Sequence, residues 1–328
     1  DISACLVGSE MCIRDSTDTD QLVATISQDT DVPTGQGFGN SMKFLVTTVE
    51  SALDADDALQ IQYRIEGQNC QNLKYGTSSA ESLTLSFWVK SSVTGTYALT
   101  FKNSESGGTK LNVNTYAISS ANTWEKKIIS ITGDTSSDID NTNTNELELL
   151  WGLSAGSNYK GTSSSGWESY AAAKLFNGQT ADIATTSSAN FYLTCVQLEV
   201  GEFDSTTLPS FPFESFASNL QRCQRYYQKS YNIGTTAGTA TSDGIMLGIR
   251  GNGAFAGATR LPVVMRTAPT LTIYSNTTGA SGKVRNADTG SDETASTNGV
   301  SDNSFNAQGT TSSISTVYQF QYVAEAEL

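Results

Sequence analysis

The 328-residue chain carries 33 Asp plus Glu, 19 Lys plus Arg and no His, giving a net charge of -14 and a pI near 4.4. An acidic, cation-poor surface excludes a grip on nucleic-acid phosphates, and the lack of imidazole excludes Ser-His-Asp and Cys-His catalysis, His-ligated zinc and His proton relays. Ser and Thr fill roughly a quarter of the chain and only 16% is charged, a mixture typical of extracellular all-β proteins; no apolar run approaches a membrane span, so we expect no membrane insertion.

Residues 1–16, DISACLVGSEMCIRDS, show neither helical nor strand periodicity. Within them, Cys5 to Ser16 resembles the translated sequence of a transposase adapter used in sequencing libraries, a string that recurs at the ends of genes assembled from environmental DNA. We therefore expect an artefact with no packed place in the fold, and no signal peptide, since a basic n-region before an apolar h-region is absent. Asp1, Glu10, Asp15 and Arg14 account for -2 of the -14, leaving -12, and the cysteines fall from 5 to Cys70, Cys195 and Cys223. Their spacing fits neither a zinc site nor a disulfide framework, so we read them as small buried hydrophobes, one pair still open to oxidation.

We read residues 17–40 as an irregular N-terminal segment. From 41 to 201 short β-type runs alternate with Gly, Asn, Ser and Asp clusters: Met42–Val49, Leu59–Ile65, Leu83–Val89, Thr96–Phe101, Leu111–Ile118, Trp124–Ile131, Glu146–Trp151 and Phe191–Val200. Eight strands at this spacing predict an antiparallel, jelly-roll-like β-sandwich. A long excursion, Gly152–Asn190, interrupts them and is expected to be functional or flexible. In 202–230, Pro209 and Pro212 make a linker, and Phe213, Phe216, Ala217, Leu220, Cys223 and Tyr227 recur at helical steps, with Ser215 or Ser218 available as N-cap. Residues 231–328 return to β, with strands Gly244–Ile249, Ala254–Met265, Thr270–Tyr274 and Ser315–Val323 and a polar loop, NADTGSDETASTNGVSDNS, expected to be mobile.

The acidic groups Asp54, Asp56, Asp57 and Asp134, Asp138, Asp140, Asn141, Asn143, Asn145 offer hard oxygens for a structural calcium; solvated turns are the simpler account, and the second run lacks EF-hand spacing. No other cofactor and no catalytic or metal residue is expected. GQGFG at Gly35 and GNGAFAG at Gly251 lack the strand-to-helix context of phosphate loops and read as turns. Glu146 and Glu148 alternate with leucines as a solvent-facing pair, not the flanking carboxylates a glycosidase needs. Sugar binding asks less: a flat aromatic face and a few polar groups. Tyr159, Trp167 and Tyr170, with Asn158 and Glu168, are the candidate glycan-binding residues, with a cover over the sandwich end as the competing role of Trp167.

The juncture FYLTCVQLEVG (Phe191–Gly201) with PFESFASNLQRCQRYYQKSY (Pro212–Tyr231), LPVVMRTAPTLT (Leu261–Thr272), the terminal AEAEL and WGLSAGSNYKGTSSSGW (Trp151–Trp167) resemble a module of fibre-like virion proteins, tail or head fibres, of marine bacteriophages. Cys195 stands where that family's strand usually has Gly, so its bulkier side chain is expected to crowd the facing sheet or to replace a bulge there. The resemblance implies a non-enzymatic, homotrimeric adhesin in the virion, contacting other virion proteins and a host surface glycan, with Phe213, Phe216 and Leu220 as candidate oligomer interface. Alternatives are a capsid decoration or head-fibre protein, and a carbohydrate-binding module of a secreted bacterial hydrolase.

Overall fold

The computed structural model describes residues 11–15, 22–104, 108–162, 165–251, 254–256, 258–310 and 316–327. The chain forms two compact units, 1–216 and 217–327, both built of antiparallel strands. Each of the eight strands expected between 41 and 201 is present in the first unit, as β3 (Ser41–Thr48), β4 (Ala58–Glu66), β5 (Leu83–Ser91), β6 (Gly95–Asn103), β7 (Lys110–Ile118), β8 (Glu125–Ile131), β9 (Asn145–Ala155) and β11 (Asn190–Val200). Three more join them: β1 (Met11–Asp15), β2 (Val23–Asp29) and the two-residue β10 (Glu168–Ser169). Sheet one runs β1-β4-β9-β6-β7-β10 and sheet two runs β2-β3-β11-β5-β8, giving a jelly-roll-like sandwich.

Two expectations are corrected here. Residues 17–40 are not wholly irregular, because β2 pairs with β3 along the edge of sheet two. Its sequence, VATISQD, leaves Val23 and Ile26 exposed, and an edge strand with little to bury carries almost no alternation to read. Met11–Asp15 likewise pair with β4, although residues 1–16 were expected to stay outside the fold. An edge presents unpaired backbone groups to any extended stretch nearby, so the pairing is independent of how the segment arose.

Between the sheets lies the main core, with Phe44, Leu85, Phe87, Leu99, Phe101, Leu149, Trp151 and Phe191 among its fully buried members. Phe87 meets Trp151 and Tyr116 edge-on at centroid distances of 5.9 and 5.2 Å, and Tyr97 stacks on Tyr116 at 5.6 Å. Alternation sends the intervening residues of sheet one to its other face. There Ala98, Leu111 and Leu150 form a second apolar cluster with Leu175 and Phe176 of the excursion. The excursion is therefore a third layer folded over half of sheet one. Its approach is so close that a Cβ at Gly152 would lie 2.2 Å from Gln179 Oε1 and 2.7 Å from Phe176 Cδ1. Burying Phe176 there stabilises the cover by about 1.5–3 kcal/mol.

Strand β11 carries an irregularity between Thr194 and Gln197 in its pairing with β5, and Cys195 inside it has φ 54°. The position thus holds a bulge in the left-handed conformation that glycine adopts most easily. Cys70 and Cys195 are buried free thiols, with burial pushing both up to about 12. Cys223 is half-buried and disulfide-bonded, not the inert hydrophobe expected.

In the second unit the apolar spacing gives α1 (Phe216–Gln224), with Ser215 immediately before it. The helix is shorter than the pattern implied, because Tyr227 already belongs to β12 (Tyr227–Lys229), whose pairing partner is β20 (Thr316–Glu325). Around β20 lie β13 (Met246–Gly251), β16 (Thr270–Tyr274) and β17 (Lys283–Asn286), and the sheet continues through β18 (Ser291–Asn298), β19 (Ser304–Gly309) and β15 (Thr259–Arg260), with β14 (Ala254–Ala256) at its other edge. Met265, Val284, Phe305, Tyr318 and Phe320 fill its core. The polar stretch expected to be mobile is the meander β17–β19. Asn286 Oδ1 accepts from the amides of Asp288 and Thr289 in the first turn, and Gly290 and Gly299 supply positive φ. A strand with two wet faces looks like a loop in sequence.

Candidate functional site

The five glycan-binding candidates do not converge. Trp167 packs against the main core, meets Tyr75 edge-on at 5.7 Å and donates from Nε1 to Thr132 O at 2.7 Å. It covers the end of the sandwich, and its indole edge is already engaged. Tyr159 belongs to the second apolar cluster and packs on Phe176. Glu168, on β10, is ion-paired to Lys174, and Asn158 is exposed beside Tyr159 on a 3₁₀ turn. Tyr170 alone among the aromatic candidates presents its ring to solvent, 43% exposed, pinned by its amide to Thr109 O at 3.0 Å.

Tyr170 ends a row of groups that crosses sheet one from β4 to β6. Lys102 on β6 sits 5.6 Å from its ring centroid and donates to Glu148 Oε1 on β9 at 2.9 Å. Ser104 Oγ and Asn145 Nδ2 donate to the same oxygen at 2.6 and 2.7 Å, while Gln62 Nε2 on β4 donates to Oε2. Arg64 Nη2 then donates to Gln62 Oε1 at 3.3 Å. The register makes this row: Arg64 faces Glu148, and Glu148 faces Lys102. No sequence spacing announces it, because the three residues come from different strands.

Glu148 is 3% exposed, so Glu146 and Glu148 are not the solvent-facing pair their alternation suggested; both are buried. The cause is β9's central place in the sheet, between β4 and β6. Burial raises the Glu148 carboxyl, but the charge of Lys102 and the donors of Ser104, Lys102 and Asn145 outweigh it and hold the group below its ordinary value. A carboxylate held ionised in this way is the reverse of a general acid.

A second cluster escaped the sequence entirely. On the outer face of sheet two, Lys90 lies 4.1 Å from the ring of Tyr192 and 5.3 Å from that of Trp124. It is paired with Asp31, whose Oδ1 also accepts from Trp124 Nε1 at 2.9 Å, and Lys43 is paired with Asp29 at 3.1 Å. Bonds from Lys90 and Trp124 hold the Asp31 carboxyl below its usual range. These charges satisfy one another, so the cluster clamps the 29–31 and 119–124 segments to the sheet.

The remaining motifs resolve into structure. Asp134 organises a turn, accepting from Ser136 N, Ser136 Oγ and Ser137 N. Among the described residues no three acidic or cysteine side chains converge as a metal cluster. GQGFG is a turn, with Gly35 at φ 77°, and GNGAFAG lies partly outside the described residues. Of the expected interface stripe, Phe213 is 58% exposed yet stacks on Phe38 at 5.3 Å and meets Phe211 edge-on at 5.1 Å; Phe216 is 63% exposed and Leu220 half-buried.

No family model matches the chain, and no curated protein does. Among solved structures it is similar to the enzymatically active domain of bacteriophage CBA120 tailspike protein 4, at 14% identity and TM-score 0.35 over 58% of this chain and 19% of the tailspike. It therefore spans about a fifth of that protein. It is also similar to the family 11 carbohydrate-binding module of the Clostridium thermocellum cellulase Lic26A-Cel5E, at 12% identity and TM-score 0.31 over 60% of this chain and 89% of the module. A third is the CBM22-2 xylan-binding domain of Paenibacillus barcinonensis Xyn10C, at 12% and 0.34, over 61% and 96%.

Proposed function

We propose that the chain is a non-enzymatic structural and adhesion protein of a bacteriophage particle, tail-fibre-like, that meets a host surface glycan at the exposed ring of Tyr170 beside sheet one. One observation carries the binding role: the row Arg64, Gln62, Glu148, Lys102 ends on an exposed aromatic ring, Tyr170. A ring offers the apolar side of a sugar a flat partner, and amide and charged groups beside it address the hydroxyls. The ionised, four-donor state of Glu148 supports a binding role over a hydrolytic one. Net charge favours a neutral or cationic glycan over a polyanion at low ionic strength. Exposed Phe213 and Phe216 support assembly into a homotrimer, in which three weak sites act together.

Glycan-array binding by the full chain tests the reading. Tyr170→Ala is expected to lower signal about tenfold, the equivalent of about 1.4 kcal/mol, while the melting temperature stays within about 1 °C because a side chain this exposed adds little to stability. Unchanged binding in the variant, or no glycan bound by the parent chain, overturns it.

A further inference from the structure

The crossover from β3 in sheet two to β4 in sheet one, residues 49–57, holds two buried carboxylates with the same arrangement. Glu50 is 7% exposed and Asp57 is 1% exposed. In each, one oxygen accepts from an amide of its own loop: Ser51 N donates to Glu50 Oε1 at 3.1 Å, and Asp54 N donates to Asp57 Oδ2 at 2.7 Å. The second oxygen of each, Glu50 Oε2 and Asp57 Oδ1, is buried with no hydrogen-bond partner among the described residues.

An uncompensated buried carboxylate oxygen is costly, and two of them in one loop demand a positive partner. Among the described residues, no cation is one of the leading charges that act on Asp57. The groups whose charge Asp57 feels are Asp54, Glu50 and Asp56, all acidic, and with burial as the leading cause they raise its carboxyl above the ordinary value. The backbone around them is fixed: Glu50 N donates to Ala184 O at 3.0 Å, and Gly156 N to Asp57 O at 2.7 Å. Both carboxylates therefore stand on a rigid frame at the junction of β3, β4 and the start of the excursion.

We infer that Glu50 Oε2 and Asp57 Oδ1 together bind one hard divalent cation, calcium in the first instance. Two carboxylates neutralise its charge, and calcium completes its roughly six to eight oxygen ligands with carbonyls and water, which a loop supplies more readily than the strict octahedron magnesium demands. Bound there, the ion ties both sheets and the root of the excursion together. This site is independent of the glycan-binding reading.

Thermal unfolding of the full chain, with the metal alone as probe, is the test. Millimolar calcium against EDTA is expected to raise the melting temperature by about 5 °C, the shift that occupancy near a hundred times Kd gives a unit of this size. Magnesium is expected to give a smaller rise. Glu50→Gln and Asp57→Asn should each abolish the response, whereas Asp56→Asn, altering an exposed carboxylate of the same loop, should keep it. If either buried variant fails to fold, calorimetric titration of calcium into the parent chain, expected to show one site per chain, takes its place. No response in the parent chain, an equal response in all three variants, or a melting temperature that rises on acidification toward pH 5 with no calcium effect, the mark of a proton shared between the two carboxyls, overturns the site.

Discussion

Replacing Glu148 by Gln is expected to lower the unfolding free energy of the first unit by about 3 kcal/mol, near the lower end for breaking a buried ion pair. The amide removes the charge that balances Lys102 and turns one acceptor into a donor facing donors already in place, from Gln62 on one side and Lys102, Ser104 and Asn145 on the other. Urea unfolding followed by tryptophan fluorescence reads it cleanly, since all four tryptophans, at 88, 124, 151 and 167, lie in that unit. The sign with pH is fixed by the depressed carboxyl: its contribution is complete above the ordinary glutamate value of about 4.3 and is lost as pH falls through the lower folded value. The gap between parent and variant should therefore narrow below about pH 4. A Lys102→Met second change should recover part of the loss, and a single-variant cost under about 1 kcal/mol would show the network to be ornamental to stability.

The second large effect is at Trp167. Removing it as Trp167→Ala should cost about 3 kcal/mol in the same unfolding measurement, since it strips an aromatic from the sandwich end and leaves Thr132 O without its donor. Trp167→Phe keeps the contact with Tyr75 and loses the hydrogen bond, and about 1 kcal/mol is expected. Glycan signal should survive both changes where the chain remains folded. A variant that kept its stability and lost binding would return Trp167 to the ligand.

These residues show how far the sequence could be read. The eight sandwich strands were legible because each buries one face against the core, and alternation such as Leu59, Ile61, Tyr63 and Ile65 records that burial directly. Cys195 stood out as a departure from a glycine position, but its side chain was expected to crowd the facing sheet or to replace a bulge there, and the bulge is instead kept, with Cys195 in the left-handed conformation. Strands β2 and β18 were not legible, because edge and doubly solvated strands write no apolar period, and β17 and β19 bury only Val284, Phe305 and Ala307 among polar residues, too few to show one. Glu146 and Glu148 were misjudged for a related reason: their alternation with leucine describes a two-faced strand correctly but cannot say that the second face is buried as well. Nor does a linear chain reveal register, and both the row ending at Tyr170 and the Lys90 clamp are products of register alone. Tyr159 and Trp167 were chosen for residue type, yet one joins the second apolar cluster and the other the sandwich end.

Strand β20 pairs with β12, β13, β16 and β17, all of which precede it in the chain. During synthesis the second unit therefore cannot close from its beginning. Residues 217–310 must wait, with four strands lacking their common partner, until 316–325 have left the ribosome, whereas the first unit already has every one of its strands by residue 200. Ribosome-bound chains of increasing length would consequently gain protease resistance in two separated steps, the later one arriving only with the last ten-residue strand.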